Sequence, residues 1–239
     1  MSVTTHSPLL ASAALAALAC ACNPLTANEL NRIGACAPED IIEDAENGDS
    51  QAVLAAGRGG YLYTFVDDKG SSVEPGPEAF APSPGGPADS RFMIRVAGTL
   101  EAGGDNYAGV GLSFTDPKAP YDASAYQGIS FFARAEPGTD PHLRVKLPDT
   151  ATDPDGATCK ECYNDFGVDF AVDEEWTRYV VRWSDLSQNS GWGDPRPSGI
   201  NTAAVYGVQW QMSTPGSNFD IQIDDVAFVG GCEAPGNPG

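Results

Sequence analysis

Stretch after stretch of this chain alternates between apolar and other side chains, and no long stretch repeats with helical period. That period of two constrains the fold more than any other feature, because successive side chains of a strand point to opposite faces of a sheet. "SRFMIRV" puts Phe92, Ile94 and Val96 on one face. "YAGVGLSF" sets Ala108, Val110, Leu112 and Phe114 against Gly109, Gly111 and Ser113. "GISFFARA", "LRVKL", "WTRYVVRW" and "VYGVQWQM" continue the pattern, the last predicting Tyr206, Val208, Trp210 and Met212 inward and Gln209 and Gln211 outward. Gly- and Pro-rich text such as "PEAFAPSPGGPADS" separates the runs, as turns require. Alternating strands without intervening helices predict antiparallel sheets packed face to face, an all-β, two-sheet sandwich in a single domain.

One strand breaks its own rule. In "FDIQIDDVAF", Phe219, Ile221 and Ile223 alternate with polar residues, and after Asp224-Asp225 the apolar positions resume at Val226 and Phe228. A β-bulge shifts parity in this way, and it leaves the question of what neutralises two acids where a strand buries itself. Glu43, Asp44, Glu46 and Asp49 in the first strand-like segment add acid, while the nearby "GRGG" supplies one Arg. Carboxylates in excess of bases suit a hard cation such as Ca²⁺; the alternative is that these acids are solvated or cap turns.

Charge and cysteines narrow the functional classes. Thirty-three acids against thirteen bases give a net charge of −20, which disfavours nucleic acid and anionic membrane surfaces as partners. Only His6 and His142 are present, and no G-x-S-x-G, H-E-x-x-H or P-loop occurs, so little supports catalysis. Residues 1–22 read as an export signal, apolar and small from Leu9 to Cys22 but without Lys or Arg before it. A Cys after small residues resembles a bacterial lipoprotein signal. "ALAC" favours lipidation at Cys20, whereas cysteine parity in the remaining chain favours Cys22. The membrane would then be met only through a lipid anchor, in the cell envelope; free secretion is the alternative.

Residues 23–35 read as a tether, 36–232 as the domain and 233–239 as a tail. Cys36 and Cys232 flank the domain, and a bridge between them would contribute roughly 4–5 kcal/mol in the chain-entropy model. In an exported protein the C-x-x-C of Cys159 and Cys162 reads as a local disulfide.

A sugar ring needs flat aromatic platforms with amides or charged groups for its hydroxyls. Arg144, Lys146, Gln209 and Gln211 fall on faces turned from the core, Gly109, Gly111 and Gly207 would leave that face hollow, and Tyr61, Tyr63, Tyr163 and Trp192 could supply platforms. Each of these also has an ordinary reading as core aromatic or wet polar residue.

"YDASAYQGISFFARA", "CKECYNDFGVDF", "EEWTRYVVRWSDLSQNSGWG", "AAVYGVQWQM" and "FDIQIDDVAFVG" occur in this order. The series resembles the galactose-binding-like β-jelly-roll carbohydrate-binding modules, of the family-11 type, over residues 40–230. The resemblance implies a jelly roll whose concave sheet binds β-glucan or cellulose-like chains without catalysis, as a monomer. It also implies structural Ca²⁺, with "EDAE" matching the usual acidic opening loosely and placing Asp44, Glu46 and Asp224 at the metal positions. A structural or adhesive surface lipoprotein without sugar affinity is the alternative, and a glycan hydrolase the least favoured.

Overall fold

The computed structural model describes residues 40–230 except Glu78. The signal, Cys20, Cys22, the tether and the Cys36–Cys232 pair lie outside the described residues. Twelve strands run β1 (Ile41–Glu43), β2 (Leu62–Val66), β3 (Ser72–Glu74), β4 (Ser83–Pro84), β5 (Phe92–Thr99), β6 (Ala108–Ser113), β7 (Gly128–Ala135), β8 (His142–Leu147), β9 (Phe166–Ala171), β10 (Thr177–Arg182), β11 (Gly207–Met212) and β12 (Asn218–Val229). They form two antiparallel sheets. One has five strands in the order β2-β6-β11-β8-β9; the other is built on β10-β7-β12-β5-β3, with β1 paired to β12 and β4 to β5.

The inward residues are those the alternation assigns. Val110, Leu112, Val145, Leu147, Trp210 and Met212 from the five-stranded sheet meet Ile94, Val96, Ile129, Phe131, Ile221 and Ile223 from the other, all buried in one cluster. Trp210 closes edge-on against Phe131 at 5.4 Å between ring centroids, and Phe170 of β9 stacks on Tyr179 of β10 at 5.2 Å. Burying a large apolar side chain stabilises by about 1.5–3 kcal/mol, so this double-faced core is the main force holding the sheets together.

The bulge forms where the parity shift predicts it. Asp224 lies opposite Phe132 and Ala227 opposite Ser130, so β12 carries one extra residue between them. Asp225 takes it up with a φ of 49°, in the left-handed region. Val226 and Phe228 thereby return to the core. Both aspartates are buried, and Asp224 Oδ1 accepts the Asp225 backbone N–H at 2.7 Å. The backbone of Gly86 comes so close that a Cβ there would lie 2.6 Å from Asp224 Oδ2. The base of "GRGG", Arg58, is also buried: it donates to Ile41 O at 2.7 Å and to the Tyr121 hydroxyl at 2.9 Å, and its guanidinium lies 5.1 Å from the Phe228 ring centroid.

Candidate functional site: the outer face of the five-stranded sheet

Registers place the outward residues of the five-stranded sheet in rows. Tyr63, Gly111, Gln209, Lys146 and Gly167 form one row, and Phe65, Gly109, Gln211, Arg144 and Asp169 the next. Six of the eight expected ligand residues therefore share one face: Tyr61, Tyr63, Arg144, Lys146, Gln209 and Gln211.

Gly207 lines a cavity at the start of β11, but Gly109 and Gly111 do not leave a hollow. A Cβ on Gly111 would lie 2.3 Å from Tyr63 Cζ, and one on Gly109 2.6 Å from Phe65 Cζ. The rings of β2 thus lie across β6 where side chains are missing, and any larger residue would lift them. Along β2 the rings form a ribbon: Tyr61 to Tyr63 is 5.9 Å between centroids, Tyr63 to Phe65 6.3 Å, and Phe65 to Tyr107 6.3 Å. Gln209 fixes the middle ring by donating from Nε2 to the Tyr63 hydroxyl at 2.8 Å. Burial pushes that phenol up to about 12, so it stays neutral. Phe65 and Tyr107 are absent from the sequence-based set. Phe65 shares the parity of Tyr61 and Tyr63 in "YLYTFV", a signal that could have found it; Tyr107 precedes β6 and has no such signal.

The other half of the face is built differently. Arg144 and Lys146 point outward as expected, but both are buried rather than offered to solvent. Arg144 Nη1 pairs with Asp169 at 2.7 Å, and its Nη2 donates to the Ser187 carbonyl. Lys146 Nζ pairs with Asp165 at 3.0 Å, and both side chains are shielded. Each charge thus already has an internal partner, an arrangement that braces this half of the face.

Tyr163 lies on the loop before β9 and Trp192 on a loop after β10, and both are exposed. The expected Cys159–Cys162 disulfide is formed just before Tyr163. Buried Asn164 ties the two loops: its Nδ2 donates to Asn189 O at 3.0 Å and to Trp192 O at 2.6 Å, and its Oδ1 accepts the Asn189 N–H at 2.9 Å.

The residues expected to hold Ca²⁺ do not fit it as a set. Glu46 accepts the Arg91 N–H at 2.6 Å, the Phe92 N–H at 3.2 Å and Arg91 Nε at 2.9 Å, so a guanidinium occupies its carboxylate. These donors hold the Glu46 carboxyl below its ordinary range despite partial burial. Asp44 Oδ1 caps the Glu46 N–H at 3.1 Å. Among the described residues, no three acids, histidines or cysteines converge to hold an ion.

No family model and no curated protein matches the sequence. Solved structures do. The family 11 carbohydrate-binding module of a cellulosomal cellulase of Clostridium thermocellum superposes with a TM-score of 0.54 at 14% identity, covering 82% of this chain and 99% of that one. The family 11 module from the same organism in complex with a β-1,3-1,4-mixed-linked tetrasaccharide gives 0.53 at 14% identity, covering 78% and 98%. A family 30 carbohydrate-binding module gives 0.50 at 11% identity, covering 76% and 95%. The chain therefore has the two-sheet β-sandwich fold of the family 11 and family 30 carbohydrate-binding modules.

Proposed function

We propose that this protein binds a neutral polysaccharide, a β-glucan chain, on the outer face of its five-stranded sheet and does no chemistry on it. The observation that carries the reading is the ribbon Tyr61–Tyr63–Phe65–Tyr107, a continuous line of rings beside the amides of Gln209 and Gln211. Apolar sugar faces pack on such rings, and amides satisfy the hydroxyls around them. The fold shared with modules named for carbohydrate binding, one of them holding a mixed-linked tetrasaccharide, supports the same reading. Binding without catalysis accords with the state of the acids on this face: Asp165 and Asp169 are engaged by Lys146 and Arg144 instead of standing as a free acid and base. Export, with an acyl anchor at Cys20 or Cys22, belongs to this proposal; the Cys159–Cys162 disulfide is at home in an oxidising compartment.

Isothermal titration with mixed-linkage β-glucan and with its tetrasaccharide tests the reading. Saturable binding of either, lost on Tyr61→Ala/Phe65→Ala and accompanied by no release of reducing sugar, is expected. A folded protein that binds neither would make the face a structural surface, as in an adhesive envelope protein.

A further inference from the structure

The outer face is not open at both ends. Strand β11 lies between β6 and β8. At the end where β6 and β8 finish, Tyr206 leads into β11: its N–H donates to Pro148 O at 2.9 Å, and its carbonyl accepts the Phe114 N–H at 2.9 Å. Tyr206 is buried, as parity predicts, and its ring also walls a cavity under Lys118. Lys118 belongs to the loop after β6, and Asp153 and Asp155 to the loop after β8. The ammonium reaches Asp153 at 2.6 Å and Asp155 at 2.9 Å, 5.0 Å from the Tyr206 ring centroid. An ion pair joining the loops on either side of β11 crosses the start of that strand as a bar.

The cavity against this bar has a volume of about 360 Å³ and is lined by Tyr61, Pro77, Ser113, Lys118, Asp153 and Tyr206. The aromatic ribbon runs straight into it, since its last two rings, Tyr61 and Tyr63, are part of the cavity wall. The volume is at the small end of ligand pockets, roughly 300–1,000 Å³. Its polar groups suit vicinal hydroxyls. An ammonium carries three donors, of which Asp153 and Asp155 take two, leaving one for a sugar oxygen beside a carboxylate acceptor.

Resting on the proposed glycan binding, we infer that this face takes a chain end: the terminal sugar unit seats in the cavity at Lys118 and Asp153, beside Tyr61 and Tyr63, and the units behind it lie along Phe65 and Tyr107. A chain cannot continue past the bar, so interior segments of a polymer are poor ligands.

The test uses the full protein and mixed-linkage β-1,3-1,4-glucan cut to increasing extents by an endo-glucanase, with binding capacity per mass of glucan read by isothermal titration. Capacity rising in proportion to the number of chain ends is expected. Capacity that follows glucan mass and is unchanged by cutting overturns chain-end binding while leaving the glucan reading intact; no binding to whole or cut glucan overturns both. Lys118→Met opens the bar and should turn end-limited capacity into mass-limited capacity, whereas Lys118→Arg, which keeps the ion pair, should not. End-limited binding that persists in a folded K118M protein would overturn the bar as its cause. Should K118M fail to fold, the titration on the unaltered protein still decides.

Discussion

The two sheets dispose of their polar groups differently. The seven-stranded sheet carries buried carboxylates on its own strands, Glu43, Asp224 and Asp225, and receives its buried cation, Arg58, from a loop. The five-stranded sheet buries cations, Arg144 and Lys146, each on a carboxylate partner, and leaves its rings accessible along β2. The first arrangement holds the ends of the domain, where β1 pairs with β12 beyond the bulge. The second stiffens one half of a face while the other half stays available for a ligand. Stability and the proposed binding would thus be divided between sheets, and within the five-stranded sheet between halves.

The largest expected effect lies on the acid-burying sheet. Glu43 is fully buried, and burial raises its carboxyl from 4.5 to about 8, opposed by N–H donors from Ala45 at 2.6 Å and Val53 at 3.1 Å. A group with a folded value above its unfolded one binds more protons in the folded state, so its contribution is full below about 4.5 and is lost as pH rises through about 8. The unfolding free energy from urea titrations should therefore fall between pH 5 and 8 by an amount on the order of several kcal/mol at most, with glucan affinity unchanged for the folded protein. A free energy flat over that window would mean that Glu43 ionises without penalty, and the contrast between the sheets would lose its first half.

Lys146→Met strikes the braced half. It leaves Asp165, 2% exposed in its side chain, as an uncompensated buried charge, which should cost about 3–5 kcal/mol in urea unfolding. Arg144→Ala should cost less because Asp169 is 71% exposed and can be solvated. Wild-type stability in Lys146→Met would show the pair to be dispensable and return Lys146 to the ligand face. In the aromatic half the effect should invert: Tyr61→Ala should weaken glucan binding by about 2 kcal/mol, roughly 30-fold, and move the unfolding midpoint little.

These contrasts were only partly legible in the residues. Alternation assigns faces, and it placed the core of both sheets and the bulge at Asp224-Asp225 correctly. It is incomplete where a strand has not yet begun: Tyr206, just before β11, is buried as parity assigns, yet its ring also walls the cavity under Lys118. It also says nothing of which strand lies alongside. The hollow expected at Gly109 and Gly111 is filled by Phe65 and Tyr63 because β2 happens to pair with β6. Arg144 and Lys146 looked solvent-facing because their partners, Asp169 and Asp165, come from another strand and a loop, and Ser187 from a further loop. Glu46 looked like a metal ligand because its guanidinium lies 45 residues away at Arg91. Period two carries no information about such long-range pairings.

The finest division runs through Gln209, which belongs to both halves by register, with Gly111 on one side and Lys146 on the other. Its amide donates to the Tyr63 hydroxyl, so it couples the rigid half to the ring ribbon. Gln209→Ala removes one hydrogen bond that is only partly shielded, a change of about 1 kcal/mol. Two variants separate what that bond does. Tyr63→Phe deletes the hydroxyl but keeps the ring, which still lies over Gly111. If the bond serves to orient the ring, both variants should lower glucan affinity by a similar factor of about five, and the double variant should lose no more than either alone. If Gln209 instead contacts the glycan directly, the two losses should add, and the amide would move from the framework of the ribbon to the binding surface itself.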